Sequence, residues 1–135
     1  MSIQTSKEDT TQDVKQDTPP VSVPYAASTR AGDFVFTAGQ VPRDAQRQVI
    51  GTTIEAQTAA VFDKLRAALA AHDATLAHVV KMQVFLADIA DWPRFNVAYA
   101  QEMGTLSPVR TTVGASLNGV KVEIDAVAYL APAGS

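Results

Sequence analysis

The chain has 135 residues, 47% of them hydrophobic, a formal net charge of −3 and no cysteine. That length fits one domain with a sizeable core. The acidic balance disfavours general binding to nucleic-acid backbones, and the missing thiols exclude disulfides, thiolate chemistry and cysteine zinc sites while fitting a reducing cytoplasm.

Residues 1–20, MSIQTSKEDTTQDVKQDTPP, lack the apolar stretch of a secretion signal and are too acidic for a transit peptide. They read as a flexible polar arm, with a single domain over 21–131 and a short tail over 132–135. No window is long and apolar enough for a spanning helix. VSVPYAAST is short and extended, Pro24 driving Val23 towards β geometry, and Arg30 to Gly32 is expected to turn. DFVFTAGQV alternates Phe34, Phe36 and Ala38 against Val35 and Thr37, a strand that closes at Gly39.

After a polar connection, Thr52 and Glu55 have the spacing of a capping box. Ile54, Thr58, Val61, Phe62, Leu65, Ala68 and Leu69 form the apolar stripe of a helix reaching about His72. HVVKMQVFLAD is a strand, with Val80, Met82, Val84 and Leu86 on one face and Val79, Lys81, Gln83 and Phe85 on the other. In DWPRFNVAYAQEMG, Asp91 is the expected N-cap, Pro93 sits in the first turn and Gly104 is the stop. Phe95, Ala98, Tyr99 and Met103 give this second helix its buried stripe.

The segment PVRTTVGASLNGVKVEIDAVAY is expected to fold back as a hairpin, since Asn-Gly at 118–119 is the favoured dipeptide of a two-residue type I′ turn. On that register Gly114 faces Glu123, Thr112 faces Asp125 and Arg110 faces Val127. Arg110 and Glu123 then share a face, about 13 Å apart at ~3.3 Å per residue. A small anion fits between them, although Lys121, Glu123 and Asp125 on alternate positions also fit a solvated face or a subunit interface. The order of elements predicts an α+β domain with both helices on one face of a mixed sheet. His72 and His78 have no second ligand at helix spacing, so they read as caps or surface groups, and no metal site is expected.

The blocks FVFTAGQVP, EAQTAAVFDKLRAALAAHDATLAHVVKMQVFLADIADWPRFNVAYAQ and SPVRTTV…VKVEIDAVA resemble the RidA (YjgF) family of reactive-intermediate enamine/imine deaminases, from about Pro24 to Tyr129. The resemblance implies a chorismate mutase-like fold packed as a homotrimeric barrel, with active sites in clefts between subunits. It also implies cofactor-independent hydrolysis of small enamines and imines, of the 2-aminoacrylate and 2-imino acid type, to 2-keto acids and ammonia in the cytoplasm.

Matched to the family's motifs, Arg110 binds the substrate carboxylate and Glu123 activates water. Tyr25 and Asn96 shape the pocket, Gly39 lets backbone approach the ligand, and Thr112 stands where backbone touches substrate. Ala38 replaces the family's common serine before Gly-Gln, Ala26-Ala27 replaces Ser-Gln, and GASLNG differs from the usual Leu-Pro turn. These departures point to a side-chain preference other than that of 2-aminoacrylate. A non-catalytic, ligand-binding or chaperone-like trimer is the alternative, and the acidic charge argues against the ribonuclease activity also attached to the family.

Overall fold

Five strands form one mixed sheet in the order β1-β2-β5-β3-β4 in the computed structural model of the chain, which describes residues 22–132. The expected arm and the last three residues of the expected tail lie outside the described residues. β1 (Ser28–Ala31) and β2 (Phe34–Thr37) pair antiparallel across a two-residue turn, Ala31 opposite Phe34. Arg30 and Ala31 therefore belong to the strand, where a turn was expected. Gly32, at φ 58, takes the left-handed conformation that a tight hairpin needs and sets the reversal at Gly32-Asp33.

α1 (Ile54–Ala70) starts one residue later than its expected cap. Thr53, not Thr52, is the N-cap: its backbone is extended and its Oγ1 accepts the Ala56 N–H at 3.1 Å. Glu55 thus sits inside the first turn and forms no capping box with Thr52; its carboxylate instead accepts two bonds from Arg94, at 2.9 and 2.7 Å. The expected stripe is buried and Gln57 joins it. Gln57 Nε2 donates to Gly51 O at 3.1 Å and its Oε1 accepts from Lys121 N at 2.8 Å, tying the helix start to the entry of the last strand. A turn of 3₁₀ helix follows at Leu76–His78, where Thr75 N donates to His78 Nδ1 at 2.9 Å, so this histidine serves as a cap.

β3 (Val79–Leu86) turns Met82, Val84 and Leu86 inward as expected. A bulge between Val79 and Lys81 buries Val79 and exposes Val80, reversing the expected faces of that pair. α2 (Trp92–Met103) has Pro93 in its first turn and ends at Gly104, φ 60; Asp91 precedes it without a side-chain capping bond. Phe95, Ala98 and Met103 are buried and Tyr99 packs partly buried beside them.

The expected C-terminal hairpin does not form. β4 (Val109–Gly114) pairs in parallel with β3, while β5 (Val122–Tyr129) lies on the other side of β3, antiparallel to it and to β2. Asn118 and Gly119 do bend the chain, with Gly119 at φ 83, but the strands they join never touch. The cause is α2: a helical crossover returns the chain to the end of the sheet where β3 began, which makes the next strand its parallel neighbour. β5, with Val122, Ile124, Ala126 and Ala128 all buried, then fills the centre of the sheet.

Both helices cover one face, and Phe62, Leu65, Met82, Leu86, Phe95 and Ile124 are among the core side chains between them and the strands. Among the described residues nothing covers the other face, hereafter the bare face: Phe34, Phe36, Val109, Val113 and Tyr129 are each at least 40% exposed. No helix among the described residues is long and apolar enough to cross a membrane.

Candidate active site

The strand order decides where the charged residues fall. On β5 the even-numbered residues from Val122 to Ala128 are buried, so Glu123 and Asp125 project from the bare face, opposite Phe85 and Gln83 of β3. On β4, Arg110 and Thr112 stand beside Met82 and Val84, which point into the core, so both belong to the helix face. Arg110 and Glu123 therefore occupy opposite faces with β3 between them. The shared face expected from a hairpin is corrected by the register.

Arg110 is cradled by one side of α2. Its guanidinium carbon lies 4.7 Å from the Tyr99 ring centre and 5.4 Å from that of Phe95, close enough for cation–π attraction. Nη2 donates to Asn96 Oδ1 at 2.8 Å. Tyr99 follows Asn96 by three residues and Phe95 by four, so it neighbours both on the helix surface. Thr112 stands two residues along β4, and its Oγ1 is buried without a hydrogen-bond partner. Burial pushes the Tyr99 hydroxyl pKa up, and the Arg110 charge acts against that shift.

Glu123 sits at a second location with Gly39. A Cβ built on Gly39 would overlap the Glu123 carboxylate, so only glycine leaves that carboxylate in place. The approach is fixed by paired backbone bonds, Gln40 N to Ile124 O at 2.8 Å and Ile124 N to Gln40 O at 3.1 Å. Tyr25, Gly39 and Glu123 line one cleft of about 170 Å³, together with Arg43, Arg47 and Asn118. Burial first, and then the Asp125 charge, push the Glu123 pKa above the ordinary carboxylate value. Asp125 is itself raised by burial, against a hydrogen bond from the Gln83 backbone and the attraction of Lys81.

The six residues marked in the sequence thus form two groups. Tyr25, Gly39 and Glu123 meet in the cleft; Arg110, Asn96 and Thr112 gather on the helix face. Sequence reasoning missed Tyr99 as the platform under Arg110, although its spacing from Asn96 on a helix could have shown it. It also missed Arg43 and Arg47, whose placement depends on a loop with no periodic signal. Among the described residues no three histidine, aspartate or glutamate side chains form a metal-binding group. Chemically, one group offers a fixed guanidinium for a carboxylate, and the other a carboxyl whose pKa is raised towards the range of proton exchange.

Comparison with known proteins identifies the family and the fold. The family described as Endoribonuclease L-PSP matches residues 15–130. A RutC family protein of Pyrococcus horikoshii is 36% identical over 109 residues, covering 78% of this chain and 86% of that protein. Protein MMF1, mitochondrial, of Saccharomyces cerevisiae is 30% identical over 107 residues, covering 79% of this chain and 74% of that protein. The crystal structure of RidA from an Antarctic Psychrobacter superposes with a TM-score of 0.77 at 26% identity, over 89% of this chain and all of that one. The chain belongs to the Endoribonuclease L-PSP family, the group of RidA (YjgF) proteins.

Proposed function

We propose that the protein is a cofactor-independent enamine/imine deaminase, acting in the cytoplasm as a homotrimer on small 2-imino acids and their enamine tautomers. The observation that carries this reading is the division of the site. A guanidinium held on one face and a carboxyl with a raised pKa held on the other can act on one molecule only if two copies of the chain meet. The bare sheet face, with Phe34, Phe36, Val109, Val113 and Tyr129 exposed together, supplies an apolar patch of the kind that subunits cover.

In the assembled cleft Arg110 holds the substrate carboxylate through paired N–H bonds, with Asn96 and Tyr99 fixing its orientation. The partner subunit's Glu123 faces the C=N carbon. An enamine first takes a proton on its β carbon from the protonated carboxyl, giving the iminium; a raised pKa keeps that form available closer to neutrality. The carboxylate then accepts a proton from water as the water oxygen bonds to carbon, forming a carbinolamine. That proton passes to nitrogen, the C–N bond breaks, and ammonia leaves with the hydroxyl proton. Iminium plus water thus gives 2-keto acid plus ammonium and leaves the carboxylate, which takes a proton from solvent before the next enamine.

The test is to generate 2-aminoacrylate in situ with a PLP-dependent dehydratase and follow 2-keto acid release. The wild type is expected to accelerate release, and Arg110→Ala and Glu123→Ala to abolish the acceleration. A wild type that accelerates none of several enamines would leave a ligand-binding trimer as the function. Ribonuclease activity is disfavoured by the net charge of −3, which offers no general attraction for RNA.

A further inference from the structure

We infer that the Glu123 cleft carries a second anion-binding group, Arg47 supported by Arg43, which selects substrates bearing a side-chain carboxylate in addition to the carboxylate held by Arg110. The inference rests on the deaminase reading and names its substrate class. Arg47 lies in a tight turn: Asp44 Oδ1 accepts from Gln46 N and Gln48 N, both at 2.9 Å, and Asp44 O accepts from Arg47 N at 2.9 Å. The turn places Arg47 at φ 70, in the left-handed region.

Among the described residues the other non-glycine at positive φ is Asp73, a short polar residue of the kind that tolerates this conformation. A long side chain gains nothing there that glycine would not supply at lower cost, and such outliers gather at functional sites. At this position the residue lines the cleft shared by Tyr25, Gly39 and Glu123.

Arg43 fixes the turn over that cleft. Its Nη1 donates to Arg47 O at 2.6 Å and its Nη2 to Asn118 O at 2.7 Å, joining the turn to the β4–β5 connection. Lys64 Nζ donates to Arg43 O at 3.0 Å, and burial and then the Arg47 charge hold the Lys64 pKa below its ordinary value. Three positive groups therefore gather here, with the Asp44 carboxylate acting on Lys64 in the opposite sense, on a chain of net negative charge. Arg43 is committed to backbone oxygens, whereas the Arg47 guanidinium makes no hydrogen bond or ion pair with another described residue. Neither arginine is among the causes that set the Glu123 pKa, which are burial and Asp125. Both arginines and the carboxyl line the same cleft of about 170 Å³.

The experiment compares two imines made in situ by amino-acid oxidases, one from an acidic amino acid and one from a neutral amino acid of similar size. Wild type is expected to prefer the acidic imine in kcat/KM. Arg47→Gly, which suits the left-handed turn, is expected to lower that preference by about tenfold, the scale of one charge-assisted hydrogen bond, chiefly through KM of the acidic imine. Arg47→Lys is expected to keep part of the preference. An unchanged ratio in Arg47→Gly overturns the inference. Hydrolysis of 2-aminoacrylate but of neither imine overturns the inference and leaves the deaminase reading standing; if 2-aminoacrylate is not hydrolysed either, the deaminase reading fails, and calorimetry with a dicarboxylic and a neutral 2-keto acid decides the remaining question. A dicarboxylate preference lost in Arg47→Gly upholds the anion site, and equal binding of the two acids overturns it.

Discussion

Arg110 and Glu123 stand on opposite faces of one sheet, with β3 between their strands. A single protomer therefore cannot present both to one small molecule. This relationship separates a shared site from a self-contained one by a simple mixing experiment.

Arg110→Ala and Glu123→Ala are each expected to be inactive alone. After subunit exchange at equal amounts, each interface has about a one in four chance of pairing an intact arginine with an intact glutamate, so activity is expected to return to about a quarter of wild type in a cyclic trimer. Keto-acid release before and after co-refolding measures it. No recovery would place both groups in the same subunit's site or outside the chemistry.

The pH profile follows from the cleft. Burial and the Asp125 charge both favour protonated Glu123, so a higher pH is needed to form the carboxylate that activates water. The acidic limb of kcat is expected to have its midpoint above the ordinary carboxylate value. Asp125→Asn removes one of the two causes and is expected to move that midpoint to lower pH. A midpoint that rises or stays fixed in this variant would contradict the assignment.

Gly39→Ala would press a methyl group against the Glu123 carboxylate. The side chain can swing away, so the fold is expected to survive while the carboxylate is displaced from its working position. Misplacement of about 1 Å costs on the order of a hundredfold in rate. The readout is kcat/KM beside an unchanged far-UV circular dichroism spectrum.

Gln57 predicts a loss of stability without a direct chemical role. It is 4% exposed and bonds to both Gly51 O and Lys121 N. Gln57→Ala leaves these backbone groups without their partner at a cost of about 2 kcal/mol. Chemical denaturation should report that loss, and the Lys121 amide should exchange faster with solvent.

Much of the architecture was legible from local patterns. The stripe from Ile54 to Leu69, the alternation of Met82, Val84 and Leu86, and the Gly104 stop are short-range signals, and each matches its element. Asn118-Gly119 misled for the same reason. The dipeptide reports a local bend, whereas strand pairing depended on α2 carrying the chain back along β3. The Thr53 cap and the bulge at Val80 are one-residue shifts that periodicity does not resolve. Tyr25, Gly39, Asn96 and Thr112 came as site residues from motif resemblance, which carries no information about faces, and the shared face expected of Arg110 and Glu123 rested on the hairpin that does not form. Their division into two groups emerged only from the sheet order, and the Arg47 turn had no pattern to announce it.

Among the described residues β4, the carrier of Arg110, has a strand beside it on one side only. A rim of this kind has spare backbone donors and acceptors and is held less firmly than a central strand. Small twisting excursions of that rim would carry the guanidinium with them. Contact with another copy would quiet those excursions, so the grip on a carboxylate should tighten as protein concentration rises and copies associate.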